Sequence, residues 1–433
     1  MIGAGLAGCE AAHILSKKGI KVELHEMKPQ SYSPAHKLPT FAELVCSNSL
    51  KAERFGSAAG LLKWEMEYLG SLTVPLAKKN AVPAGGALAV DRVLFSKQVT
   101  EAIKSDPNIT VVTGEVENID PDEYTIIATG PLTGGRLADS LKALCGEEYL
   151  SFYDAAAPIV TADSIDMEHA FFASRYDKGD GDDYINCPLN KEEYEAFVSA
   201  LVSAERALLH ENDMGLKVYE GCMPIEVLAS RGTDAIRFGP MKPVGLKDPK
   251  TGHRPWAVLQ LRKETKQAEM YNLVGFQTNL KFGEQKRVFG MIPALSHAEY
   301  VRYGVMHRNS FIDSPRVLNS DFSMKKHPKV SFAGQISGVE GYMESAASGI
   351  AAAFFMAAAI NGEQLPPFPD ITMIGALSRY ISDGSVKNFQ PMGANFGILP
   401  PLPTAIRDKK ERYNLLAERS AKWFSDNVRS EEK

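Results

Sequence analysis

Cysteine is scarce in this sequence. The 433 residues hold five cysteines, and no two form a C-x-x-C pair. That excludes a disulfide framework and points to a reducing compartment, the cytoplasm. Without paired cysteines or a close histidine pair at ligand spacing, no structural zinc and no other metal is expected. Excess positive charge is missing too: the formal net charge is −5, which argues against a strongly basic nucleic-acid binder but permits local basic patches. No charged-then-apolar segment opens the chain. The most apolar run, Gly349 to Ile360, is alanine-rich and too short to span a bilayer, so no membrane partner is expected. Nothing in the sequence fixes an oligomeric state.

Hydrophobic residues are not lacking. At 44% they suffice for a sizeable core and for two or three domains. Glycine is plentiful, at 35 residues, and the first line of sequence uses it in a pattern. Gly3, Gly5 and Gly8 form G-x-G-x-x-G, followed by Ala11, Ala12, Ile14 and Leu15 at helical spacing. Ile20, Val22 and Leu24 then alternate toward Glu26. Strand, tight turn, helix, strand and acid in that order are the context a dinucleotide fingerprint requires. Residues Gly3, Ala4, Gly5, Leu6, Ala7 and Gly8 would cradle a pyrophosphate on the free N–H groups of the helix start, and Glu26 would take the ribose hydroxyls. Only Met1 and Ile2 precede the first glycine, so the first strand is expected to be short or trimmed.

Further along, Ser57 to Leu69 reads as an amphipathic helix with Leu61, Leu62, Met66 and Leu69 on one face. Val82 to Arg92 carries two adjacent glycines, and Arg92 precedes a helix to about Ile103. Ile109–Val112 and Tyr124–Thr129 read as strands, the second ending in the turn at Gly130 and Pro131. From about Ser151 the pattern changes. Lys191 to Leu209 reads as one long helix, and Trp256–Arg262 with Met270–Thr278 as an antiparallel pair. Val330 to Tyr342 then returns as strand and glycine loop, with Gly334, Glu340 and Gly341 beside a long helix whose start would face a flavin or phosphate oxygen. This gives the expected fold: α/β, a Rossmann-like FAD-binding domain of the glutathione-reductase type, split by a smaller α+β insertion. The expected limits are 1–170 plus 285–433 for the cofactor domain and 171–284 for the insertion.

Thiols hold the main chemical interest. Cys222 lies in Gly221-Cys-Met-Pro224, a fixed and accessible kind of turn. Cys46 lies in Cys46-Ser-Asn-Ser49, a polar cluster after an apolar run. Cys187 also precedes a proline and stays a rival, whereas Cys9 and Cys145 read as packing. His307 beside Arg308 and Asn309 is either a satisfied structural histidine or a contact for an aromatic ligand or anion, and Arg302 and Arg308 suit carboxylates. Lys409, Lys410, Arg412, Arg419 and Lys422, with Tyr413 and Trp423, make a basic terminal helix compatible with RNA, or with a plain amphipathic end.

Taken together, Gly3–Glu10, Phe41–Leu50, Pro83–Arg92, Asp154–Val160, Tyr184–Pro188, Gly221–Glu226, Phe238–Gly245, Tyr303–Asn309, Phe332–Gly349 and Asn388–Gly397 closely resemble the TrmFO family of folate- and FAD-dependent tRNA uracil-5-methyltransferases, over nearly the whole chain. The resemblance implies FAD, 5,10-methylenetetrahydrofolate, and NADH or NADPH to re-reduce the flavin. It implies one-carbon transfer to C5 of the T-loop uridine, with tRNA held by its T arm. It makes Cys222 the nucleophile on C6 of uracil and Cys46 the group that handles the C5 proton, which suits chemistry divided into a covalent step and a proton transfer. It also implies that His307, Tyr342, Lys281 and Arg308 lie near the folate. Arg231, Arg237, Lys242 and Lys286 are candidates for the RNA face. Three alternatives stand beside this reading: the same chemistry on a uridine of 23S ribosomal RNA, an RNA-modification partner without methyl transfer like the related GidA (MnmG) group, and a non-catalytic FAD-binding tRNA chaperone.

Overall fold

The structure, a computed structural model, describes residues 1–146, 149–155, 157–177, 183–207, 223–264, 267–386 and 389–428. For 149–155 and for residues 177, 307 and 308 it describes the backbone alone. Two large hydrophobic cores carry the chain.

A parallel sheet organises the first core. Val22–Glu26 pairs with Ile109–Thr113, and Thr125–Ile127 pairs with Val330–Phe332, both in parallel. Ile2 joins the two pairs by parallel bridges to His25 and Ile127. Its N–H donates to Ile126 O at 3.0 Å and its carbonyl accepts from Ala128 at 2.8 Å. Ile2 therefore lies at the centre of the sheet. The spatial order is 109–113, 22–26, Ile2, 125–127, 330–332, so chain-distant segments close one layer.

Two helices cross tightly beside this sheet. Leu6–Lys17 and Tyr342–Ile360 pack where Gly349 has no side chain: a Cβ there would lie 2.2 Å from Ala7 O. Only glycine allows that approach. Tyr342–Ile360 is, among the described residues, the helix long and apolar enough to cross a membrane, and 78% of its apolar window is buried inside the molecule. Ala58–Tyr68 buries Leu61, Leu62 and Met66 as its periodicity predicts.

The second core lies under a six-stranded antiparallel sheet ordered 300–302, 159–161, 270–273, 257–263, 184–189, 171–172. Ile159–Thr161 and Tyr300–Arg302 belong to it, so the sheet reaches beyond the expected limits of 171–284 on both sides. Ile185, Cys187, Leu189, Leu259, Leu261 and Leu273 are buried in this core. With them are Tyr194, Phe197, Val198 and Leu201 of the helix Lys191–Ser203, which an Asn190–Glu193 capping box starts. Alternate residues Tyr184, Asn186, Gln260, Arg262 and Asn272 share the other face by register.

Two expected elements end early. The helix from Lys191 stops at Ser203 rather than running to Leu209, because Ala204 turns extended and Arg206 bridges to Leu280. The strand from Met270 stops at Leu273, where Gly275 at φ +79° turns the chain. In the terminal helix Lys409–Asn427, Trp423 packs on Phe368 and Phe424, and Tyr413 on Phe396. Arg419 donates to the carbonyls of Pro400 and Pro401. The aromatic groups expected to stack a base are thus engaged in packing, and the exposed basic groups left on this helix are Lys409, Lys410 and Lys422.

Candidate functional site

A cavity of about 390 Å³ opens at the carboxyl ends of the parallel strands. Gly3, Gly5, Leu6, Ala7, Glu26, Gly130 and Gly334, all expected at the cofactor, line it, and so does Tyr342, expected near the folate. Three helix starts also contribute to its wall: Leu6–Lys17, Gly135–Cys145 and Tyr342–Ile360. None of the three has a side-chain cap, so their first N–H groups remain available to a ligand, and each helix dipole favours negative charge there. A Cβ added at Gly5 would meet nothing within 4 Å, which leaves room for another molecule against the turn. At Gly8 a Cβ would stand 1.8 Å from Gly3 O, so that glycine serves the turn's own closure. Glu26 is buried, with its carboxylate accepting from Ala4 N at 2.7 Å and Lys28 N at 3.0 Å. Those two bonds aim it into the cavity and leave lone pairs for hydroxyl donors. Residues of this chemistry fit a dinucleotide.

Ala4, Gly8, Glu340 and Gly341 do not line the cavity. Ala4 orients Glu26, Gly341 precedes the helix at Tyr342, and Glu340 accepts from Gln335 Nε2 at 2.7 Å. Lys281 lies off the cavity as well, exposed and paired with Glu205 at 2.6 Å. His307 and Arg308 pair through their backbones with Asp154 and Tyr153. Their side chains, and all of Cys222, lie outside the described residues. Cys187 is completely buried, and burial pushes its thiol far up, as it does for Cys9. Cys187 therefore drops out as a rival nucleophile.

Cys46 sits at the rim, half-buried, next to the cavity-lining Val45. Its loop is fastened on several sides. Tyr342 Oη accepts from Cys46 N at 2.7 Å and from Ser47 N at 3.2 Å. Arg92 donates to Leu44 O at 2.9 Å. Arg302 donates to Val45 O at 2.8 Å and Cys46 O at 3.2 Å. Arg262 donates to Asn48 Oδ1 at 2.8 Å and Ser47 Oγ at 3.3 Å, and Asn48 Nδ2 donates to Val90 O and Lys263 O. Glu264, 1% exposed, pairs with Arg92 at 2.6 Å.

Burial lowers the Arg262 and Arg302 guanidiniums, with Cys46 acting against it. Burial first, and then Cys46, pushes the Tyr342 phenol far up, so Tyr342 stays neutral. Buried polar atoms without hydrogen-bond partners gather on these elements: Asn272 Nδ2, Thr161 Oγ1, Arg302 Nε, Glu264 Oε1 and Arg92 Nε. Arg262, Glu264 and Asn272 are absent from the sequence-based site. Their signal was there: Gln260 and Arg262 alternate with Leu259 and Leu261 in a strand whose polar residues are buried too.

The family model for glucose inhibited division protein A matches residues 1–364. A methylenetetrahydrofolate--tRNA-(uracil-5-)-methyltransferase TrmFO of Acetivibrio thermocellus is 56% identical over 428 residues, covering 99% of this chain and 98% of that protein. The protein of the same name from Halalkalibacterium halodurans is 53% identical over 429 residues, with 99% and 98% covered. Among solved structures, Aquifex aeolicus GidA aligns over 98% of this chain and 75% of that chain, with a TM-score of 0.71 and 17% identity. That likeness shows the mixed α/β fold of the GidA type.

Proposed function

The chain belongs to the TrmFO family, and from that premise we propose how its residues carry out the family's reaction. The chain is a methyltransferase that uses methylenetetrahydrofolate and FAD to methylate C5 of a uracil in tRNA. The relatives above are named for tRNA, and nothing favours the ribosomal RNA alternative. The uridine of the T loop, held through the T arm, is our reading of the site, as is NADH or NADPH as the reductant.

One observation carries the assignment: the uncapped helix starts and Glu26 converge on a cavity whose wall residue, Tyr342, also fixes the Cys46 loop. We read the first core as a Rossmann-like FAD domain and the second, from Ile159 to Arg302, as the inserted domain. Glu26 would hold the adenosine ribose, and the Gly3–Gly8 turn, with Gly130 and Gly334 beside it, the pyrophosphate. Gly341 and Glu340 shape the approach to the third helix start. FAD, when bound, supplies the redox chemistry that takes the one-carbon unit to a methyl group.

The protein's own part is covalent and acid–base. Cys222 would add to C6 of uracil, forming a C–S bond and making C5 nucleophilic. Once C5 has gained its carbon, Cys46 would take the C5 proton, and loss of the C6 substituent would restore the ring. His307, Arg308, Tyr342 and Lys281 remain the proposed folate contacts. Exposed Arg231, Lys242 and Lys286 remain proposed RNA contacts, as does Arg237, which is stacked on Trp256 at 3.8 Å. A base inside a folded loop must leave its stack to reach this site. The cytoplasm is the compartment this proposal gives the reaction, in keeping with an RNA substrate.

The test uses FAD-loaded protein, NAD(P)H, methylenetetrahydrofolate labelled in its one-carbon unit, and unmodified tRNA or large rRNA. Label recovered as 5-methyluridine in the T loop supports the proposal. Label only in rRNA, or an undiminished rate in Cys222→Ala, overturns it.

A further inference from the structure

Cys46 belongs by sequence to the first core, yet the groups that grip its loop come largely from the second. Across the antiparallel sheet, Tyr184, Arg262, Asn272, Ile159 and Arg302 stand opposite one another in register, so they share one face. That row holds two arginines, both bonded to the Cys46 loop. Arg302 grips two successive carbonyls, of Val45 and Cys46, while Arg262 holds Ser47 and Asn48. Arg92, first residue of its own helix, holds the carbonyl of Leu44. Three successive carbonyls thus face guanidiniums, and the N–H groups of Cys46 and Ser47 face one phenol, Tyr342.

The balance of charge around the loop is positive. From the helix at Arg92 comes one cation. The second sheet adds Arg262 and Arg302, with Glu264 as its carboxylate and Tyr184 as a neutral phenol. From the helix at Tyr342 come a neutral phenol and Glu344, which is paired with Lys51. Arg92 is paired with Glu264 and the carboxylate of Asp91 caps its helix, so Arg262, Arg302 and the uncapped start of the Tyr342 helix are the groups that stabilise an anion here. The Cys46 thiol is carried by the loop these arginines hold, and both sheet arginines interact favourably with its charge.

We propose that Arg262 and Arg302 of the second sheet, with Arg92, are positioning residues that orient Cys46 and hold it as a thiolate. The second unit thereby sets the reactivity of a cysteine that the first unit carries. Ionisation passes the thiol proton to solvent. The role of that thiolate in methyl transfer rests on the reading of Cys46 given above; its ionisation does not.

The experiment measures alkylation of Cys46 by iodoacetamide against pH in the FAD-loaded full chain, read by peptide mass spectrometry. In that reaction a C–S bond forms, the C–I bond breaks and iodide leaves. The chains compared are wild type, Arg302→Met, Arg302→Lys and Arg262→Met, with Arg316→Met as a control on an exposed ion pair. Flavin content and thermal midpoint check the fold. The Met variants should raise the midpoint of the alkylation profile by about one pH unit or more. Arg302→Lys keeps the charge and should recover most of that shift, and the control should match wild type. Midpoints unchanged in folded Arg302→Met and Arg262→Met overturn the proposal. If a Met variant loses its flavin, Arg302→Lys against Arg262→Met decides in the same way. Methylation by Cys46→Ala is scored separately: an undiminished rate removes the catalytic reading of Cys46 and leaves the ionisation result standing.

Discussion

Two sets of buried charges are handled in opposite ways. In the first core, Glu65 is wholly enclosed and accepts from Met373 N at 2.7 Å, Ile374 N at 2.8 Å and Ser420 Oγ at 2.6 Å. Glu10, equally enclosed, accepts from Leu72 N, Thr73 N and the hydroxyls of Ser71 and Thr73. Each carboxyl group caps a helix start with both oxygens hydrogen-bonded. Around Cys46 the buried groups are richer in charge, yet Asn272, Arg302, Glu264 and Arg92 each retain an atom without a hydrogen bond. An unpaired buried polar atom costs about 1–3 kcal/mol. The first arrangement serves stability, and the second leaves polar groups unsatisfied on the elements that hold the loop of Cys46, the thiol proposed above to react.

The widest break between the two sets should come from Cys46→Ala. Methylation should fall about 1,000-fold, within the range of a lost general base, while the urea midpoint stays near that of wild type. Glu65→Ala should do the reverse. It removes an enclosed acceptor and strands three donors, so stability should fall by about 4 kcal/mol, with the turnover of folded protein unchanged. Chemical denaturation beside steady-state assays reads both.

Acidity sharpens the contrast. Burial pushes the Glu65 carboxyl up to about 7, against the pull of Ser420, Met373 and Ile374. Its folded value thus lies above the unfolded one, so its contribution is complete below about pH 4.5 and is lost as pH rises through 7. Wild type should lose about 3 kcal/mol across that window relative to Glu65→Gln, measured as the difference between their urea titrations. The smallest effect belongs to Asn272→Leu. Because its Nδ2 has no partner, the exchange should leave stability unchanged or raise it by up to about 1 kcal/mol, read from the urea midpoint.

The sequence disclosed the first unit more readily than the second. Local signals suffice where the backbone itself makes the site: the Gly3–Gly8 turn, Glu26 at the end of its strand, and the late glycine loop all line or orient the cavity. The arginines around Cys46 are harder to read, because their meaning depends on register. Arg302 and Arg262 are 40 residues apart and meet one loop only through three intervening strand pairings. Element ends failed for a similar reason, since tertiary bridges such as Arg206–Leu280 override helical periodicity. The terminal helix was legible as a helix, but the packing of Trp423 on Phe368 and Phe424 depends on chain far away in sequence.

The account turns on Cys46 as a working thiol at the meeting of the two units. Its most direct test is transfer of labelled one-carbon unit to T-loop uridine by FAD-loaded Cys46→Ala beside wild type, both with confirmed flavin content and thermal midpoint. The account predicts 5-methyluridine from wild type and almost none from the variant, at equal flavin content and stability. Full methylation by Cys46→Ala would contradict it.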